Sequence, residues 1–274
     1  MAIRSILVSY LGTGGGEGAL RVAVRIAQRH DAHLTGAVWQ APNPLRQREG
    51  MFLTREIDRV LDQAEAEFAE TRRAAFMRGI ADCGLAARAE FVVLNSGKAG
   101  GVAEYARAHD VVVLGGVKAG SRADSFSVRP DVVALRSGRP VIIVPQEHAP
   151  ADLDARAVVA WDGKRASARA LADAIHVLGL GGEVTVLTIQ DSSEPENADA
   201  VLRLLSLHGV AAVHQSRAPG TGGIGRTILA ACEELGAGLL IMGAYERSWF
   251  SEELLGGVTR DVLEHARLPV LMSH

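Results

Sequence analysis

Apolar residues along this chain recur in two alternating rhythms. Short, almost unbroken runs such as Val111-Val-Val-Leu114, Val141-Ile-Ile-Val144 and Leu239-Leu-Ile-Met242 predict strands buried on both faces, as in a parallel sheet covered by helices. Between them lie longer segments whose apolar positions are spaced three and four apart, the period of a helix with one buried face. In the first half, Ile3 to Ser9, His33 to Trp39, Phe91 to Leu94, Asp110 to Leu114 and Val141 to Val144 read as strands. Ala19 to His30, Arg55 to Met77, Gly101 to Ala108 and Asp131 to Arg136 read as helices. The second of these carries a stripe of Ile57, Val60, Leu61, Ala64 and Phe68. Gly12 to Gly18 reads as a glycine-rich turn, and Pro130 fits the first turn of the helix it precedes.

The second half repeats the order. Ala157 to Trp161, Glu183 to Ile189, Val210 to Gln215, Leu239 to Met242 and Pro269 to Met272 are predicted strands. Ala166 to Leu178, Asn197 to His208, Ile224 to Leu235 and Thr259 to Arg267 are predicted helices. Gly115 and Gly243 are 128 positions apart, and Pro140 and Pro269 are 129 apart. So steady an offset predicts an internal duplication. The expected fold class is α/β: two doubly wound, mostly parallel five-stranded sheets with helices on both faces. The expected domains are residues 1–146 and 154–274, joined by a short polar linker with two prolines. Val141 to Val144 and Val270 to Met272 are short apolar strands that would otherwise leave open edges. They are expected to pair with each other and make an intramolecular pseudo-dimer.

Composition narrows the function classes. Hydrophobic residues are 48% and charged residues 22% of the 274, as in a globular protein. Aromatics are only 4%, which leaves few rings for stacking bases. Formal charge is -3, with an acidic second half, so nucleic acid is not an expected partner. Cys83 and Cys232 are the only cysteines and form no zinc spacing. Two isolated thiols fit a reducing, cytoplasmic setting. The first residues lack a signal-peptide core, and no apolar run reaches bilayer length, so no membrane association is expected.

Candidate chemistry sits where second-half strands end, because open parallel sheets bind ligands beyond the carboxyl ends of their strands. Ala160-Trp161-Asp162-Gly163 places an acid there, able to accept from an amine or a sugar hydroxyl. The alternative is that Asp162 caps the helix that follows. Gly256-Gly257-Val258-Thr259 leads into a helix and could present free backbone N–H groups to a phosphate. The alternative is a plain turn with Thr259 as N-cap.

Laid along these positions, the whole chain resembles a tandem universal stress protein. Nucleotide-binding members carry Gly, two residues, Gly, nine residues, Gly, then Ser or Thr, after the fourth strand. Here Gly243 fits the first position and Gly256 the third, with Arg247 to Leu255 between. Glu246 stands in place of the second glycine and Gly257 in place of the hydroxyl residue, and Val258 and Thr259 match the next two positions. Asp162 matches the acid that contacts adenine, and Ile189 the position that packs on the base. The resemblance implies a site for ATP or a related adenine nucleotide in the C-terminal domain only. Its residues would be Ala160, Trp161, Asp162, Ile189, Met242, Gly243, Gly256, Gly257, Val258 and Thr259. It also implies a stress-response role and a homodimer. Glu246 adds negative charge beside the expected phosphates, so an empty site stays open as an alternative. The first half departs further, with Leu11 aligned to Asp162 and no Gly-Ser or Gly-Thr pair after Gly115 and Gly116.

Two other glycine clusters compete. Gly14-Gly-Gly-Glu-Gly-Ala19 lacks the ribose-binding acid expected after the next strand. Gly220-Thr-Gly-Gly-Ile-Gly225 fits the dinucleotide fingerprint fully, with Glu246 after the next strand. However, Ser216 to Pro219 separates it from its strand, and its unit is not first in its domain. No P-loop, nucleophile elbow, metal cluster or acid–base–nucleophile set is read, so neither catalytic residues nor metal ligands are expected. Three classes remain open: a non-catalytic nucleotide-binding regulator, a nucleotide-independent interaction module of the same fold, and a dinucleotide-dependent enzyme.

Overall fold

The computed structural model describes residues 3–10, 14–40, 54–95, 101–116, 128–146, 156–178, 182–190, 198–244 and 257–274. Leu11, Gly12, the loop after Gly116, the linker, Glu246 and Gly256 lie outside these residues. Strands β1 (Ser5–Ser9), β2 (His33–Gln40), β3 (Ala89–Asn95), β4 (Val111–Gly115) and β5 (Val141–Val144) belong to the first half. Strands β6 (Arg156–Ala160), β7 (Glu183–Ile189), β8 (Ala211–Arg217), β9 (Leu239–Gly243) and β10 (Val270–Ser273) belong to the second. Helices α1 (Gly14–His30), α2 (Arg55–Ile80), α3 (Val102–Tyr105) and α4 (Pro130–Arg136) cover the first five strands. Helices α5 (Arg165–Leu178), α6 (Ala198–Leu207), α7 (Gly223–Glu234) and α8 (Gly257–His265) cover the last five.

All ten strands form one sheet, in the order β3-β2-β1-β4-β5-β10-β9-β6-β7-β8. The two expected five-stranded sheets are joined as the sequence suggests: β5 and β10 pair antiparallel, with Val270 opposite Ile143, Leu271 opposite Ile142 and Met272 opposite Val141. The pairings within each group of five are parallel. The same order, third-second-first-fourth-fifth, is thus read outward from this seam on either side.

Period-two alternation splits the core into two layers. Ile6 and Val8 of β1 pack under α1 and α2, together with Phe76 and Ile80. On the same side, Val159 and Val186 pack under α5 and α6 through Leu171 and Leu205. Leu7, Val112 and Leu114 face the other layer with Val133 of α4, and Val158, Leu240 and Met242 face it with Ile228 of α7 and Val262 of α8. Aliphatic side chains fill both layers, as the low aromatic content requires.

Two helices differ from the sequence reading. Gly14 to Gly18 are not a turn: α1 begins at Gly14, and its missing first-turn partners cost a glycine no more than another residue. The apolar stripe at the start of α2 is not core, since Ile57 is 44% and Val60 58% exposed. Length explains this. Twenty-six residues of helix run about 39 Å, whereas the eight residues of β2 span about 26 Å. The N-terminal turns of α2, capped by Thr54 accepting from the Ile57 N–H at 3.4 Å, therefore overhang the sheet. Pro130 does occupy the first turn of α4.

At the amino end of β1, the Asp110 carboxylate accepts from the N–H groups of Arg4 and Ser5 at 2.7 and 2.9 Å. Beside it, the ring Nδ1 of buried His109 shares a hydrogen bond of 2.8 Å with the Ser5 hydroxyl. Burial holds His109 below its usual range, against the opposing charges of Glu90 and Asp110. This cluster fastens β4 to β1 at the edge away from the ligand-binding ends of the strands.

Candidate functional site

β6 is the centre of the second group. Its chain leaves to β7 on one side, while β9 lies on the other, so the strand order reverses at β6. Ala160 pairs with Leu187 and with Met242, which brings the ends of β6, β7 and β9 level. Trp161 continues the alignment, its backbone N–H donating to the Leu187 carbonyl at 2.8 Å. Asp162, Ile189 and Gly243 therefore leave the sheet side by side.

Asp162 is half exposed and already engaged. Its Oδ1 accepts from the Ser167 hydroxyl at 2.6 Å and from the Lys164 N–H at 3.1 Å. Oδ2 lies 3.8 Å from the Lys164 ammonium. Gly163 takes a φ of 74°, a left-handed turn suited to glycine, and delivers the chain into α5. This engagement stands in for the capping role weighed from sequence: an Asx turn just before the helix, because α5 begins three residues later at Arg165. It uses mainly one carboxylate oxygen, and the other keeps acceptor capacity toward solvent.

Gly243 has a packing reason to be glycine. A β-carbon there would lie 2.5 Å from the Ala166 carbonyl carbon and 2.6 Å from the Ser167 nitrogen. The first turn of α5 rests directly on the end of β9. Met242 is 4% exposed and points into the core, and Ile189 is half-buried against the same apolar layer. After Gly243, the Ala244 N–H donates to the Ser273 carbonyl at 2.8 Å, and the Ala244 carbonyl meets the His274 ring at 2.9 Å. Ser273 and His274 thus hold the residue that follows β9.

Gly257, Val258 and Thr259 form the first turn of α8. Thr259 is 5% exposed and two residues inside the helix, so it is not the N-cap that its position suggests; the helix starts earlier because Gly257 and Val258 also take helical geometry. Gly257 is exposed, with nothing within 4 Å of where a β-carbon would stand.

Two further residues emerge at this edge that sequence reasoning did not rank by their polar atoms. The indole Nε1 of Trp161 and the amide Nε2 of Gln190 are buried and have no hydrogen-bond partner among the described residues. Both follow the ends of adjacent strands. A buried N–H without an acceptor costs about 1–3 kcal/mol, so such groups call for a partner. Their unpaired state depends on tertiary surroundings, and no spacing in the sequence announces it.

The glycine cluster Gly220 to Gly225 is closed on itself. The Gly220 N–H donates to the Thr227 hydroxyl at 2.9 Å, and the Gly223 N–H to the Gly220 carbonyl at 3.0 Å. Buried Gly225 packs α7 against α8, where a β-carbon would meet the Asp261 carboxylate at 2.5 Å. In a dinucleotide fold the first of these N–H groups would face the pyrophosphate. Among the described residues, no group of three or more His, Cys, Asp or Glu side chains could hold a metal ion. No described helix is long and apolar enough to cross a membrane.

The family model of the universal stress proteins matches residues 207–274, which contain β8, α7, β9, α8 and β10. No curated protein matches the chain. Among solved structures, a universal stress protein from Archaeoglobus fulgidus DSM 4304 aligns with 98% of this chain and 97% of its own. Its TM-score is 0.75 at 18% identity. A functionally unknown protein from Pseudomonas aeruginosa PAO1 aligns with 99% of this chain and 92% of its own, with a TM-score of 0.60 at 16% identity. The chain is thus similar in fold, over nearly its whole length, to a universal stress protein, and its residues 207–274 carry that family's sequence pattern.

Proposed function

We propose that this chain is a tandem universal stress protein that acts as a non-catalytic regulator and binds an adenine nucleotide, ATP or a relative, at the ends of β6, β7 and β9. Asp162 would meet the adenine, Ile189 would pack on it, and the backbone around Gly243, Gly256 and Gly257 would face the phosphates. The observation that carries the reading is the reversal of strand order at β6, which sets the ends of β6, β7 and β9 level and leaves one Asp162 oxygen with acceptor capacity toward solvent.

The two units of this proposal are residues 1–146 and 154–274, with the first as a structural partner whose nucleotide site has eroded. The β5–β10 pairing supports treating them as an intramolecular pseudo-dimer. The further homodimer belongs to the proposal and is checked by the mass in solution. Two unpaired cysteines support a reducing, cytoplasmic location.

Calorimetric titration with ATP tests the site. Ser167→Ala removes a hydrogen bond to Asp162 but leaves the carboxylate, and binding is expected to persist. Asp162→Ala is expected to weaken ATP at least tenfold. If the wild-type protein binds no adenine nucleotide, the reading fails and the interaction module takes its place. That second reading is favoured by the engagement of Asp162 with Ser167 and Lys164. NAD binding lost in Gly222→Ala would instead revive the dinucleotide reading.

A further inference from the structure

A second cavity lies far from these strand ends, in the groove between α1 and α2. Its volume is about 560 Å³, within the roughly 300–1,000 Å³ typical of small-molecule sites. Leu20 and Val24 of α1 and Ala75 of α2 form an apolar floor, and Arg21, Arg25 and Arg78 stand around it. The helices approach closely because Gly79 lacks a side chain: a β-carbon there would lie 2.7 Å from Leu20 Cδ2. From Ala75 to Cys83 the α2 wall and the turn that continues it run about 12 Å.

Among the lining residues three guanidinium groups stand with one carboxylate, Glu17. Arg25 has a partner of its own, which leaves Arg21 and Arg78 as the cations for a ligand. At the inner end stands Tyr10, 4% exposed, its ring edge-on to Phe76 at 6.0 Å. Burial, and next the charge of Glu17, push its hydroxyl up from the usual range, so it stays a neutral donor. Arg72, one turn before Ala75 and Phe76 on the same face of α2, adds positive charge at Tyr10. Its Nε is buried without a hydrogen-bond partner among the described residues, although the side chain as a whole is half-buried, and its guanidinium lies 4.7 Å from the Phe68 ring centroid. A cationic side chain with an unmet buried donor favours an anion nearby.

We propose that the α1–α2 groove binds a small amphipathic oxyanion, its apolar body on Leu20, Val24 and Ala75 and its carboxylate or phosphate head on Arg21 and Arg78. Guanidinium forks match both heads by paired hydrogen bonds. Among the described residues the groove has no equivalent in the second half, where the counterpart of the 26-residue α2 is the 10-residue α6. It does not depend on nucleotide binding at β6.

Titration of the full chain with decanoate and decyl phosphate, followed by calorimetry, tests this. Saturable one-to-one binding of either is expected, with decanol and inorganic phosphate each weaker by at least about tenfold. If decanoate and decyl phosphate divide, the tighter one identifies the head. Arg78→Gln removes an exposed charge, and Ala75→Phe fills the floor. Each is expected to weaken the preferred probe about tenfold or more at an unchanged thermal midpoint. Should Ala75→Phe fail to fold, the double variant Arg21→Gln, Arg78→Gln gives the same reading. The proposal is overturned by no saturable binding of either probe, or by decanol or phosphate binding as tightly. Unchanged binding in the folded variants, or displacement of the probe by ATP, overturns it equally.

Discussion

The backbone of Ala166 stands so close to Gly243 that a β-carbon on Gly243 would come within 2.5 Å of the Ala166 carbonyl carbon. Neither partner can yield cheaply: one is the end of a central strand and the other the first turn of α5. Gly243→Ala is therefore expected to destabilise the fold by about 1–3 kcal/mol. A urea denaturation midpoint equal to wild type would refute the packing role.

Gly257 offers the contrast, because open space surrounds the position of its β-carbon. Gly257→Ser should fold as well as the native chain. If the phosphates of a nucleotide lie at this turn, the new hydroxyl adds a hydrogen bond of about 1 kcal/mol, or roughly fivefold in ATP affinity. Calorimetry on the variant decides it, and an unchanged or weaker affinity places the phosphates elsewhere.

His109 sets a pH dependence. Burial lowers its folded pKa beneath the ordinary value of 6.5, so it stays neutral in the fold and takes up a proton on unfolding. The unfolded chain then binds more protons, and stability rises with pH across that window. Its contribution is complete above about pH 6.5 and is lost as pH falls toward the depressed folded pKa. His109→Asn should flatten the slope of unfolding free energy between neutral and mildly acidic pH. An identical slope in the two proteins would remove His109 as the source.

The two thiols should differ in reactivity. Cys232 is 1% exposed, and burial pushes its thiol up to about 12, so almost no thiolate forms at neutral pH. Cys83 is only partly buried. A thiol reagent should titrate one cysteine in the native protein and a second only after denaturation. Prompt labelling of Cys232 would show that α7 opens readily from the sheet.

What could be read from sequence tracks how local the cause is. Val111 to Leu114 and Leu239 to Met242 announce themselves because strands covered on both faces are apolar at every position, whatever their neighbours. Gly14 was harder, since a glycine run suggests a turn while a helix start leaves its first N–H groups unpaired in either case. The stripe at Ile57 and Val60 has the right period but overhangs the sheet, and only three-dimensional length reveals that. Gly243 has the position of a phosphate-facing glycine, yet the contact that demands it comes from Ala166, far along the chain. Asp162 illustrates both sides: its place at a strand end was legible, whereas its engagement by Ser167 depends on how α5 starts. The unmet donors of Trp161 and Gln190 had no signal, because being unsatisfied belongs to the surroundings and not to the residue.

The antiparallel pairing of β5 with β10 has one more consequence. Strands on the two sides of that seam point in opposite directions, so their carboxyl ends open on opposite rims of the sheet. Tyr10, just past the end of β1, and Trp161, just past the end of β6, therefore stand at different rims of the molecule. Ligands bound at the two places would never touch or compete for space. An influence of one on the other that travels through the sheet crosses the four short strands between β1 and β6 and passes the seam residues Ile142 and Leu271.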